Sequence, residues 1–93
     1  MKKNGLLLNP KDSVVTVMED IPQGGAVCFE ADGKLLEMAA NERIKKYHKI
    51  ALCDIQKDQS VIRYGENIGR ALSDIRKGDW VHTHNLSDIP EEA

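Results

Sequence analysis

The stretch DIQKDQSVIRYGENIGRALSDIRKGDWV, residues 54–81, decides the fold. It begins and ends on the same phrase, Asp-Ile-x-x-(Gly/Asp)-x-x-Val, once from Asp54 and again from Asp74, and another copy, DIPQGGAV, starts at Asp20. In chain order the copies follow short apolar runs: VVTVM, KIALC and RALS. Repetition of this kind settles architecture, because each unit is a small supersecondary element that buries its apolar face only against another unit. The phrase reads as strand, polar turn, strand, with Asp engaging the turn through its side chain and Gly supplying a positive φ. Its aspartates and glycines are therefore structural, not candidates for chemistry.

The longer interval between Val27 and Asp54 holds two further signals. In EADGKLL, residues 30–36, the pair Asp32-Gly33 between apolar flanks predicts a type I′ hairpin. In EMAANERIKKYH, residues 37–48, Met38, Ala39, Ala40 and Ile44 fit one or two helical turns. The same segment also fits a degraded fourth copy, since IKKYHKIAL from Ile44 patterns like IQKDQSVIR from Ile55, and this second reading is favoured. Strands are expected at Val61 to Tyr64 and Ile68 to Leu72, joined at Gly65-Glu66-Asn67. The expectation is one mostly β domain over residues 1–93, built of short strands and hairpins folded into a small barrel or hairpin assembly.

A chain of 93 residues buries roughly 60–65% of its unfolded surface, which leaves little room for a deep private site. Its 13 basic and 15 acidic residues are interspersed, giving a net charge of -2 and no nucleic-acid footprint. The opening MKKNGLLLNP has an apolar run of only Leu6 to Leu8, too short for a signal peptide. No stretch approaches the roughly 20 apolar residues of a membrane span, so a cytoplasmic location without membrane contact is expected. Cys28 in AVCFE and Cys53 in IALCD read as buried free thiols that pack as small hydrophobes, and parity is the sole argument for a disulfide. Without a CxxC spacing, zinc held by thiolates is not supported.

Chemistry concentrates in DWVHTHN, residues 79–85. A strand from Trp80 to Asn85 would place Trp80, His82 and His84 on one face and Val81, Thr83 and Asn85 on the other. Val81 aligns with Val27 and Val61 in the repeat, so the valine face is expected inside and the histidines outside. Imidazoles two apart on a strand sit about 6.5–7 Å apart at Cα, close enough to converge on one divalent ion. Two ligands do not complete a zinc or iron shell, so a pair of solvent-facing histidines is the ordinary alternative. His48, beside Lys49 at a strand start, reads alone as a surface or turn residue. Ser13, Ser60, Ser73 and Ser87 sit in turn contexts, and QGGA lacks the strand–loop–helix setting of a phosphate loop.

Taken together, HKIALCDIQKDQSVIRYGENIGRALSDIRKGDWVHTHN, residues 48–85, resembles the SAF-type domain of the altronate and galactarate dehydratase family. The resemblance is carried by His-Lys, Tyr-Gly, Ile-Gly and the closing His-x-His-Asn, and extends more weakly through LLLNPKDSVVTVMEDIPQGGAV from Leu6. It implies a β-clip fold and a role as the N-terminal domain or small subunit of a lyase, completed by a large dehydratase subunit and inactive alone. The implied chemistry is metal-dependent elimination of water from a sugar acid, with a sulfolactate sulfo-lyase branch that expels sulfite. Such an elimination needs a base for the α proton, a cation for the enediolate and an acid for the leaving group. The resemblance makes His48, His82 and His84 metal or substrate contacts, with Fe2+ or Mn2+ shared with the large subunit, and Lys49, Tyr64 and Asn85 carboxylate or hydroxyl contacts. It departs from the family at Tyr47, where glycine is usual. SAF-type domains also serve sialic acid synthases and antifreeze proteins, so a non-catalytic binding or assembly module is the competing expectation.

Overall fold

Four isoleucines do the same work. In the computed structural model, which describes residues 2–87, Ile21, Ile44, Ile55 and Ile75 are each at most 2% exposed, and the residues six further on, Val27, Ile50, Val61 and Val81, are fully buried. The segment around Ile44 is thus a further copy, the second in chain order, and not a helix. Its backbone exchanges bonds with Ile21, the N–H of each donating to the carbonyl of the other at 2.8 and 2.9 Å. A helical turn would surrender both bonds and expose Ile44. Ile55 and Ile75 pair in the same way, at 2.8 and 2.7 Å.

Three residues after each isoleucine the backbone turns left-handed: Gly24 at φ 79°, Tyr47 at 70°, Asp58 at 73° and Gly78 at 94°. The N–H of each left-handed residue reaches into another copy, Gly24 donating to Ala40, Tyr47 to Val17, Asp58 to Ala71 and Gly78 to Ala51. The first copy therefore engages the second, and the third engages the fourth. The aspartates cap turns as expected, but not their own. Asp54 Oδ1 accepts from the N–H of Lys77, Asp74 Oδ1 from that of Lys57, and Asp20 Oδ1 from that of Lys46. The second copy has Arg43 where the others have Asp.

Tyr47 is the strained member of this set. An L-residue in the left-handed well costs about 1–2 kcal/mol, and its ring is 61% exposed. Tyr47→Gly should therefore stabilise the domain by a few tenths to about 1 kcal/mol, after allowance for the greater freedom of glycine in the unfolded chain. Urea denaturation checks this, and a lowered midpoint would contradict it.

The described residues form strands β1 (Gly5–Leu6), β2 (Val14–Val17), β3 (Ala26–Ala31), β4 (Lys34–Ala39), β5 (Lys49–Ala51), β6 (Ser60–Arg63), β7 (Glu66–Arg70) and β8 (Trp80–Val81). A four-stranded antiparallel sheet runs β1-β2-β5-β8, flanked by the hairpins β3-β4 and β6-β7. All of β2 is buried, because Val15 and Val17 face one core, with Ile21, Ile44 and Ile50, while Val14 faces the other, with Ile55, Val61, Ile75 and Val81. That placement between two cores explains why β2 carries valines on both of its faces instead of alternating them with exposed polar residues. The domain is all-β, and among the described residues no helix is long and apolar enough to cross a membrane.

The β3-β4 turn falls at Asp32-Gly33, with φ 51° and 76°, as a type I′ turn requires. The β6-β7 turn lies earlier than expected, at Tyr64-Gly65, with φ 55° and 80° in place of Gly65-Glu66-Asn67. Asp12 Oδ1 accepts the N–H of Gly65 at 2.8 Å and anchors the turn there. Cys28 is buried as expected, but Cys53 is exposed. It lies past the end of β5, in the connection to the third copy, so its apolar neighbours do not enclose it.

Candidate functional site

The strand expected over Trp80 to Asn85 stops at Val81. Asn85 is the physical reason. Its side chain, 8% exposed, donates from Nδ2 to the carbonyl of Trp80 at 2.8 Å and accepts the N–H of His82 at 2.9 Å on Oδ1. The backbone folds with it, as the N–H groups of Asn85 and Leu86 both donate to the carbonyl of His82. The amide of Asn85 thus closes a turn that carries the histidines. Val81 faces inward, as the repeat predicts.

The turn still gathers the rings expected on one face. His82 stacks on Trp80 with centroids 5.3 Å apart and planes 11° apart, and His84 packs on the same indole at 4.8 Å. His48 joins them from the start of β5, with its ring 4.6 Å from that of His82. Trp80, which sequence reasoning assigned no role, donates from Nε1 to His48 Nδ1 at 3.0 Å. That bond occupies the Nδ1 lone pair, so the neutral ring of His48 carries its proton on Nε2 and offers a donor. As placed, His48 is engaged through Nδ1 with Trp80 and presents its Nε2 edge as a hydrogen-bond donor. His82 and His84 have no side-chain hydrogen bond among the described residues and keep a lone pair each.

Beside the rings opens a cleft of about 250 Å³ lined by Lys49, Arg63, Ile68, His82, Thr83 and Leu86. Its ionisable groups are all basic. Burial, and then the Arg63 guanidinium, push the Lys49 ammonium down from its usual range. His82 is held below its ordinary 6.5, first by burial and then by His48, Lys49, His84 and Lys45, so it is neutral at pH 7. Tyr64 does not line the cleft. Its hydroxyl bonds Thr16 Oγ1 at 3.2 Å, directly across the sheet from Lys49, and its ring lies 4.7 Å under the Arg63 guanidinium.

The arrangement does not make a metal site by itself. Among the described residues no group of three or more His, Cys, Asp or Glu side chains is placed to hold an ion. His82 and His84 offer at most half of a tetrahedral shell. The cleft instead joins fixed positive charge to a neutral imidazole, which suits holding a carboxylate and accepting a proton nearby.

The titration of His82 gives a direct check. Followed by NMR, its ring should titrate below 6.5. Because the folded state then binds this proton less readily than the unfolded chain does, the domain loses stability as the pH falls from 6.5 through the folded value. A His82 midpoint at or above 6.5 contradicts the placement of the surrounding cations.

The family described as the altronate/galactarate dehydratase SAF domain matches residues 3–89. The chain is similar to altronate dehydratase of Bacillus subtilis, 36% identical over 91 residues that make up 94% of this chain and 18% of that protein. It is similar to the Escherichia coli altronate dehydratase at 37% over 84 residues, 86% of this chain and 16% of the relative. It is also similar to the (2R)-sulfolactate sulfo-lyase subunit alpha of Paracoccus pantotrophus, at 36% over 55 residues, 59% of this chain and 82% of that subunit. The chain spans less than a fifth of the length of the altronate dehydratases it matches.

Proposed function

The chain belongs to the altronate/galactarate dehydratase SAF-domain family, and from that premise we propose that it is the small component of a sugar-acid hydro-lyase, completed by a large dehydratase subunit and inactive alone. The observation that carries this reading is the cleft in which Lys49 and Arg63 flank a neutral His82. Elimination of water begins with loss of the proton α to a carboxylate, and positive charge at that carboxylate stabilises the anion that forms. Lys49 holds the carboxylate, His48 donates its Nε2–H to a substrate oxygen, and His82 accepts a proton. Asn85 keeps His82 in place, and Tyr64 supports Arg63 from below. A divalent ion, iron(II) or manganese in kind, would when bound supply further charge at the enediolate. In this reading it would belong mainly to the large subunit, with His84 as this chain's share of its shell, because a His82 that accepts the proton has no lone pair left to ligate.

A sulfo-lyase role is the second reading, favoured by the 82% of the Paracoccus subunit alpha that the alignment covers. Sulfolactate carries a 2-hydroxycarboxylate beside its sulfonate, and the same cations suit that carboxylate.

The test is co-purification of this chain with a large dehydratase subunit and assay of the complex on altronate, galactarate and sulfolactate. Lys49→Ala should lower kcat/KM by about 10²-fold, and His82→Ala by a similar factor. Turnover by the purified chain alone would sink the reading. So would a complex that keeps full activity and metal content when both His82 and His84 are replaced by Ala.

A further inference from the structure

We propose that Arg63, with Lys49, forms a carboxylate-binding fork on this chain itself, selective for the 2-hydroxycarboxylate end of a short polyhydroxy acid. Three observations meet at Arg63. Its Nε is buried and has no hydrogen-bond partner, which is rare enough in a folded protein to call for a missing acceptor. Its guanidinium lies 4.7 Å over the ring of Tyr64, and stacking occupies the face of the group while leaving its N–H edge to bond. Finally, it shares the cleft with Lys49, and neither forms an ion pair among the described residues. Two like charges brought together without a counterion repel each other, and an oxyanion between them removes that repulsion. Burial is the main cause that lowers the Lys49 ammonium, and the Arg63 guanidinium adds to it.

The remaining walls narrow the ligand class. Ile68 and Leu86 are apolar, whereas Thr83 and His82 are polar, so a carboxylate at the fork sets carbon against the first pair and a hydroxyl toward the second. At about 250 Å³ the cleft admits a few carbons and excludes a cofactor. Ile68 reaches it through a bulge, since Val61 pairs with Gly69 and Ile62 with Asn67, leaving Ile68 unpaired between them. The assignment of the ligand as a sugar acid rests on the lyase reading. The existence of the fork does not.

The experiment uses the full 15N-labelled chain, titrated with glycolate, with its neutral amide glycolamide, and with methanesulfonate. Glycolate should shift the Arg63 Nε–H and the backbone N–H of Thr83 in a saturable way, while glycolamide leaves them unmoved. Arg63→Ala should weaken glycolate binding at least 10-fold. Arg63→Lys should weaken it nearly as much, because a point charge replaces the fork. Equal binding by methanesulfonate would overturn the selectivity for carboxylates. Shifts scattered away from the cleft, or affinity unchanged in Arg63→Ala while its spectrum remains that of a folded domain, would overturn the fork. In the reconstituted complex Arg63→Lys should raise KM more than it lowers kcat. Saturable glycolate binding by the chain beside a wild-type complex without activity would refute the lyase reading and leave the fork standing.

Discussion

Gly69→Ala will cost the domain about 3 kcal/mol or more, a large share of the 5–15 kcal/mol that holds a typical domain together. Gly69 has φ 150°, and a Cβ placed on it would lie 1.8 Å from the carbonyl oxygen of Ser87. That oxygen is backbone in a segment tied to β7, with the N–H of Ser87 donating to the carbonyl of Arg70 at 2.9 Å, so no change of rotamer relieves the clash. Residues 85–87 must move away. With them go the bond from Leu72 N–H to the carbonyl of Asn85, the pairing of Leu86 with Ala71, and the Leu86 side chain that closes the second core. The grip of Asn85 on His82 goes too, so the ring cluster should loosen. The chain has one tryptophan, Trp80, and its fluorescence reports both losses in a single urea titration. Gly33→Ala is the comparison: φ is 76°, yet an added Cβ meets nothing within 4 Å, and the cost should be only about 1–2 kcal/mol. Equal costs at the two glycines would refute the argument from close approach.

Truncating the repeat isoleucines comes next in size. Ile44→Ala and Ile55→Ala should each cost about 3 kcal/mol, because each removes a fully enclosed side chain and leaves a cavity that the paired backbones cannot close. The milder Ile→Val changes reveal how the copies are coupled. Ile21 and Ile44 share the first core, whereas Ile55 and Ile75 share the second. In double-mutant cycles Ile21→Val with Ile44→Val should depart from additivity by at least about 0.5 kcal/mol, while Ile44→Val with Ile75→Val should add within about 0.3–0.5 kcal/mol. Uniform additivity would mean that the pairing of copies has no energetic content.

Much of this fold is legible because its turns need particular residues. Gly24, Asp58 and Gly78 occupy left-handed positions that few other residues tolerate, so the copies stand out. The copy at Ile44 is harder to see because Arg43 and Tyr47 replace the marker residues, leaving only Ile44 and Ile50 to betray it. Tyr64 hid the second hairpin turn for the same reason, since a tyrosine at φ 55° is uncommon. At the site, proximity of the histidines was readable but their presentation was not. Alternation assumes that a strand continues, and only the wrap of the Asn85 side chain around Trp80 and His82 shows that it ends. Arg63 carried no signal. It shares its side of β6 with the buried Val61, and nothing in the sequence says that Tyr64 and Lys49 meet it there.

The exchanged aspartates carry a last consequence. Asp54 serves the turn at Lys77, and Asp74 serves the turn at Lys57, just as Ile55 and Ile75 trade backbone bonds. A contact in which residue i meets j while j meets i is the mark of an isologous two-fold interface between identical subunits. Each pair of copies is therefore a homodimer in geometry, tethered into one chain. Tethering frees the halves to diverge, so one can lose its aspartate at Arg43 and gain His48 without altering its counterpart. That freedom is what places an asymmetric site on a symmetric frame.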